Sequence, residues 1–340
     1  MIKPFQIQNI RLVARLQKNG TTLDMEDRLL HPRSPLRAAL LANLFPAMPG
    51  VATYVLNFKD EKGVHQGLVQ ARIRPGRPEQ EVVFLSPKLE NGNGGHAMWQ
   101  RLLNHLCIKA GEQGHQRIYA RLNPDSEESQ IFRNVGFSPY AEERVFRLDA
   151  DLYPDNPQNT LGLRRQTAAD SWSVQRLYTA VTPHTVQVSE GLAQGQWQIN
   201  NYPLADQGHR YGLVWENRGE ILAVLNIHSG KMGHWIRLMV HPDIDSETTN
   251  LLLGGLSLLK NPHRHPVYCS LRTYQSELAS HLFACGFREF AGQQILVKHN
   301  TVRATDFLSR LLPAFDTSID AKHATPVMKT QTSAPKTNGR

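Results

Sequence analysis

The chain reads as an α+β protein built from two similar halves, and three features of the sequence lead there. A stretch from Glu81 to Phe137 runs strand, glycine-dense turn, amphipathic helix, strand, helix. Two of its landmarks return once at nearly one offset. The Gly-Phe pairs at Gly136 and Gly286 are 150 positions apart, and Leu85-Ser86-Pro87 and Val240-His241-Pro242 are 155 apart, the mark of an internal repeat. Between the copies lies YPDNPQNTLG, Tyr153 to Gly162, whose Pro, Asn and Gly favour irregular backbone. We therefore expect domains at 1–150 and 163–300, a linker at 151–162 and a tail at 301–340.

Composition narrows the class. At 340 residues, 40% hydrophobic and 20% charged, the chain is globular and long enough for two ordinary domains. Cys107, Cys269 and Cys285 sit in or beside apolar segments, which suits reduced core thiols better than a disulfide framework. The first residues, MIKPFQIQNIRLVARLQ, contain no apolar h-region, and no run approaches the ~20 apolar residues of a membrane span. A cytoplasmic protein without membrane partners is the expectation. The net charge is +8, of which Lys322, Lys329, Lys336 and Arg340 against Asp320 place +3 in the tail. The remaining +5 is too dilute for a nucleic-acid footprint, yet it suits an anionic cofactor.

In chain order, Ile10 to Leu16 reads as a first strand, and Asn19-Gly20 as a turn. Ser34-Pro35 opens a helix, Leu36 to Phe45, with Ser34 as N-cap and Pro35 in the first turn. Val51 to Phe58 and Gly67 to Arg74 are strand-like around the turn KDEKG. Val82 to Leu85 is a short buried strand closed by Pro87. After the turn Asn91-Gly92-Asn93-Gly94-Gly95, Met98, Trp99, Leu102, Leu103, Leu106 and Ala110 share one helical face. Arg117 to Leu122 is a strand, Ser126 to Asn134 a helix, and Arg144 to Leu148 the final strand of this half.

A strand, a glycine turn and a helix N-terminus in succession form an anion site. The first helical N–H groups lack intrahelical partners and the helix dipole adds positive potential. Glycines let a phosphate approach the backbone. In this order of elements the chain resembles the acyl-CoA core of the GNAT N-acetyltransferases. The resemblance implies a mixed, mostly antiparallel sheet flanked by helices in each half, an α+β three-layer fold, with acetyl-CoA as co-substrate.

Carried over position by position, the resemblance puts the pyrophosphate on Asn91, Gly92, Asn93, Gly94 and Gly95, and the pantetheine arm and thioester carbonyl on the backbone of Phe84 and Leu85. The asparagine that contacts the cofactor at the start of the second helix corresponds to Asp125. Three further positions depart from the family: Glu90 replaces a base near two phosphates, Asn93 replaces a glycine, and Phe132 stands where a tyrosine general acid is common. Tyr119 and Tyr140 are substitutes for that acid. Glu81 shares a strand face with Val83 and Leu85, so it reads either as a general base looking into the cleft or as a solvated strand-end residue.

The pattern restarts after the linker: a strand at Leu163 to Gln166, a helix over AADSWSVQRLYTAVTP, strands at Tyr211 to Trp215, Ile221 to Ile227 and His234 to Val240, a helix near Ser246 to Leu259, and a strand at Val267 to Leu271. Its turn, His241-Pro-Asp-Ile-Asp-Ser-Glu-Thr-Thr-Asn250, has no glycine. Asp243, Asp245 and Glu247 stand where phosphates would lie, with Asp245 or Ser246 placed to cap the helix. This copy is expected to bind no acyl-CoA. His228 and His234 read as a surface hairpin, and His263-Arg-His265 as a solvated loop with no metal partner at ligand spacing. Two functions stay open: an N-acetyltransferase acting on a small-molecule or peptide amine, as a monomer or homodimer, and a non-catalytic acyl-CoA or metabolite-binding scaffold on the same fold.

Overall fold

The computed structural model describes residues 2–32, 34–45, 50–61, 63–73, 77–89, 95–192, 197 and 208–300. The first half contains β1 (Ile2–Pro4), α1 (Ile10–Leu16), β2 (Thr21–Thr22), α2 (Met25–Leu30), α3 (Pro35–Leu44), β3 (Val51–Asp60), β4 (Gly63–Ile73), β5 (Glu79–Ser86), α4 (Gly95–Glu112), β6 (Arg117–Leu122), α5 (Glu127–Asn134) and β7 (Ser138–Leu148). The second contains β8 (Arg164–Arg165), α6 (Ser171–Val181), α7 (His184–Glu190), β9 (His209–Asn217), β10 (Glu220–Ser229), β11 (His234–Val240), α8 (Thr248–Ser257), β12 (Val267–Arg272), α9 (Ala279–Ala284) and β13 (Arg288–His299).

One sheet runs through both halves in the order β1-β3-β4-β5-β6-β13-β7-β12-β11-β10-β9-β8, with β2 added on β5. The two halves exchange their last strands. β13 pairs antiparallel with β6, from Gln294↔Leu122 to His299↔Arg117, and with β7 on its other side. β7 pairs in turn with β12, from Val267↔Leu148 to Arg272↔Glu143. At the centre Gln293 faces Glu143, 150 positions away, and Gln293 Nε2 donates to Glu143 Oε2 at 2.6 Å. That spacing equals the repeat offset in the sequence, so the pair marks the pseudo-twofold centre. Joining the sheets here leaves neither half with a bare edge at the middle.

Each half is layered. α4 and α5 cover one face of the first half, where Trp99, Leu102, Leu103, Leu106 and Phe132 are buried with Leu85 and Val82. On the other face α1 and α3 pack Val13, Leu16 and Ala39 against Val55, Leu68 and Phe84. Leu85 and Phe84 therefore point to opposite sides of β5, as strand alternation requires. In the second half Leu251, Leu252, Leu256 and Leu282 lie under one face, and α6 packs Val174 and Leu177 on the other.

Most sequence-derived elements recur within a residue or two. Ser34 caps α3, its Oγ accepting from Arg37 N at 3.3 Å with Pro35 in the first turn. Two local readings are corrected. Ile10–Leu16 is a helix, because Ile10, Val13 and Leu16 recur every third residue and put one stripe on the core; that burial outweighs the β preference of the branched side chains. His228 and His234 are each 3% exposed, since the turn between them is pressed against α2, with Met232 N donating to Leu30 O at 3.2 Å. The three thiols are buried and free. The expectation for the tail falls outside the described residues. Among the described residues no helix is long and apolar enough to cross a membrane.

Candidate functional site

The backbone of β5 and β6 parts where the first-half site was expected. Their parallel register ends at Val82↔Ala120, although β5 continues to Ser86 and β6 to Leu122. On its other side β5 carries a bulge at Val83, between the pairs Gln70↔Phe84 and Ala71↔Val82. A bulge adds local twist and re-aims the strand. Phe84 and Leu85 follow it directly, 5% and 0% exposed. The second half repeats the divergence: β11 and β12 pair in parallel only to Arg237↔Ser270, while β11 continues to Val240.

Of the turn residues, Asn91, Gly92, Asn93 and Gly94 lie outside the described residues, as does Glu90. Gly95 is the first residue of α4 and is buried; a Cβ there would meet Leu89 Cδ2 at 3.2 Å. Asp125 is exposed between β6 and α5, and Ser126 beside it caps α5 by accepting from Ser129 N at 3.2 Å. His96, in the first turn of α4, was not singled out in the sequence; its Nε2 lies 2.6 Å from Glu127 Oε1, tying the two helix starts together. Phe132 is fully buried against Phe137, so the position of the missing tyrosine belongs to the core.

The diverging edge of β5 is not open. Residues 19–23 run antiparallel along it. Lys88 N donates to Asn19 O at 3.0 Å, Thr21 stands opposite Leu85, Thr22 stands opposite Phe84, and Leu23 N donates to Val83 O at 3.0 Å. β4 occupies the other edge through Val69↔Leu85 and Gln70↔Phe84. Ser86 Oγ donates within hydrogen-bond range of both Leu16 O and Asn19 O, 2.8 Å each. Gly20 makes this approach possible, because a Cβ on it would overlap the ring of Phe84 and lie 2.8 Å from Leu85 O.

Directly after this segment α2 and its N-cap carry three carboxylates into the interior. Asp24 caps α2, accepting from Glu26 N at 3.1 Å, and it pairs with Arg72 of β4. Asp27 Oδ2 lies 2.7 Å from the same guanidinium. Glu26 turns the other way, toward the second half. It lies 2.5 Å from His228 Nδ1, 2.5 Å from Arg237 Nη2 and 3.2 Å from Arg210 Nη2. Burial pushes Glu26 up, but Arg237, Arg210 and His228 outweigh it and hold the carboxyl well below its usual range. Burial acts likewise on Asp24, where Arg72 and Arg121 win and bring it to about 2.

Glu81 belongs to this cluster. Its side chain is 5% exposed, pairs with Arg121 of β6, and lies 2.8 Å from Arg72 Nη2. The expectation of a residue looking into an open cleft, or solvated at a strand end, is thereby corrected: neutralising Arg72 and Arg121 draws the carboxylate inward across the sheet face. Tyr140, on β7, donates to Glu190 Oε1 at 3.3 Å, and Tyr178 donates to Glu190 Oε2 at 2.8 Å. Burial raises the Tyr140 phenol well above its ordinary value despite Arg272 nearby, so it holds its proton firmly. Tyr119 donates to Ser189 O at 2.9 Å. Among the described residues no group of three or more His, Cys, Asp or Glu is placed to hold a metal ion.

In the second half no side chain caps α8. Asp245, one of the two expected caps, reaches His281 Nε2 at 3.0 Å instead, and Gln275 Nε2 donates to Leu238 O at 2.7 Å within the divergence.

No protein-family model matches the sequence, and no curated protein does. Solved structures do match. A tandem GNAT protein from the clavulanic acid biosynthesis pathway, solved without acetyl-CoA, aligns over 89% of this chain and 99% of its own, at 14% identity and a TM-score of 0.52. A GCN5-related N-acetyltransferase from Sphaerobacter thermophilus aligns over 89% of this chain and 97% of its own, at 12% identity and a TM-score of 0.50. With its mixed sheet, its two strand divergences and its repeat, the chain has the fold of the tandem GNAT proteins.

Proposed function

We propose that the first half is an acyl-CoA site and that the chain transfers an acetyl group from acetyl-CoA to an amine of a small molecule or peptide. The observation that carries this reading is the parting of β5 and β6 beyond Val82 and Ala120, just ahead of the glycine turn and the long helix α4. In this reading Phe84 and Leu85 meet the arm and carbonyl, Asn91 to Gly95 the phosphates, and Asp125 makes a further contact with the cofactor. The acceptor amine, arriving unprotonated, attacks the thioester carbonyl carbon, the C–S bond breaks, CoA leaves as thiolate, and the proton shed by the nitrogen passes to water. A thiol pKa near ~8.5 lets the thiolate leave without an acid at Phe132. Glu81 is assigned to holding β5 and β6 at their fork, because two guanidinium groups claim its carboxylate. Tyr140 donates to Glu190 and holds its proton firmly, so this reading gives it no proton-transfer step.

The test is thermal unfolding with and without millimolar acetyl-CoA, on the wild type and on Gly94→Glu. Ligand at about 100 times its Kd adds about 2.7 kcal/mol. A shift that Gly94→Glu abolishes supports the site; no shift in the wild type sinks it. Buried Phe132 and paired Glu81 favour a second reading, an acyl-CoA-binding protein without turnover. Release of free CoA in the presence of an amine library separates the two.

A further inference from the structure

We propose that residues 20–23 are a built-in occupant of the β5 edge that an acyl-pantetheine arm would use, so that the first-half site is closed by its own chain and opens only when this strap lifts. The proposal rests on the acyl-CoA reading of the first half. An unpaired strand edge presents a row of N–H and C=O groups to any extended chain. Beyond the fork this row belongs to Val83, Phe84 and Leu85, and a second strand already runs along it. Thr21 stands opposite Leu85, Thr22 opposite Phe84, and Leu23 N donates to Val83 O at 3.0 Å.

A backbone edge bonds one extended chain at a time. An acyl arm reaching Leu85 from the β6 side therefore has to take the place of Thr21 and Thr22. The strap is built for close approach, since Gly20 sits where any side chain would strike Phe84. It is also tied at both ends. Asn19 O accepts from Lys88 N before it, and Asp24 pairs with Arg72 behind it. Glu26, two residues further on, is held by Arg237 and His228 of the second half. Lifting the strap thus pulls on the contact between the two halves.

Two ligands and one exchange measurement test this: acetyl-CoA, and adenosine 3′-phosphate 5′-diphosphate, which carries the phosphates without the pantetheine arm. Amide hydrogen exchange of the free wild type should show Leu23 protected. An unprotected Leu23 there overturns the strap whatever the ligands do. On the wild type the two ligands should bind alike, or acetyl-CoA should bind more tightly while stripping protection from Leu23. In Gly20→Val, which forces the strap off Phe84, acetyl-CoA should gain about tenfold, equivalent to roughly 1.4 kcal/mol, with the diphosphate unchanged. Tighter binding of acetyl-CoA to wild type with Leu23 still protected overturns the strap and leaves the acyl-CoA reading standing. Binding of neither ligand to either protein overturns that reading, and the strap falls with it.

Discussion

Replacing Arg72 by Met tests how the N-terminal segment is held. Arg72 is 11% exposed and bonds three carboxylates: Asp24, Asp27 at 2.7 Å and Glu81 at 2.8 Å, each no more than 6% exposed. Met preserves much of the side-chain volume and removes the charge, leaving Arg121 as the near cation. The lowering of Asp24 from 3.8 to about 2 corresponds by itself to about 2 kcal/mol. Asp27 and Glu81 lose the same partner, although Glu81 keeps Arg121, and the expected cost at pH 7.5 is about 3–5 kcal/mol, the usual range for breaking a buried pair from one side.

The pH dependence carries the diagnosis. In the wild type Asp24 has a folded pKa below its unfolded one, so its contribution is present above pH 4 and lost as pH falls toward 2. Without Arg72, burial moves the folded Asp24 carboxyl above its unfolded value, so the cost of Arg72→Met is full at pH 7.5 and shrinks toward pH 5 as Asp24 takes up a proton. Urea unfolding at the two pH values measures it, with Arg144→Met as control. Arg144 and its partner Glu289 are 42% and 49% exposed, and that change should cost under about 1 kcal/mol. A cost for Arg72→Met below about 1 kcal/mol, or one equal at both pH values, would refute the burial argument.

Two other outcomes follow from the same structure. Trp99 is fully buried and donates Nε1–H to Pro87 O at 2.7 Å, so Trp99→Ala should lose about 3–5 kcal/mol in urea unfolding. Trp99→Phe keeps most of the packing but leaves Pro87 O without that donor, for about 1–2 kcal/mol; equal costs for the two would show that the hydrogen bond and the packing are not separable in this way. His234 is lowered to about 4, by burial first and by His265 second. Its folded pKa lies below the unfolded 6.5, so stability should be full above pH 6.5 and fall by about 2–3 kcal/mol as pH drops to 4. His234→Gln should flatten that limb, and superimposable acid curves for variant and wild type would exclude His234 as its source.

The sequence by itself determined the repeating units and their order. Helical spacing from Met98 to Ala110 and the glycine-dense turn marked the proposed first-half site, while acidic residues set its counterpart in the second half apart. These are local signals, carried by period, capping and turn chemistry within some fifteen residues, and they survive whatever surrounds them. The exchange of β7 and β13 was not legible, because both orders of pairing bury the same alternating residues and only the assembled sheet chooses between them. Nor was the helix at Ile10–Leu16, whose branched residues fit a strand until Val55 and Leu68 give the stripe a surface to cover. Glu81, Glu26 and His228 show the same limit for the site. A carboxylate or imidazole in a sequence looks solvent-seeking, and it goes inside only where other strands, from the neighbouring one that carries Arg72 to those that carry Arg121 and Arg237, bring cations to meet the charge. The covering of β5 by residues 20–23 was decided in the same place, since a strand edge has no side-chain signature and only the tertiary fold says what lies along it.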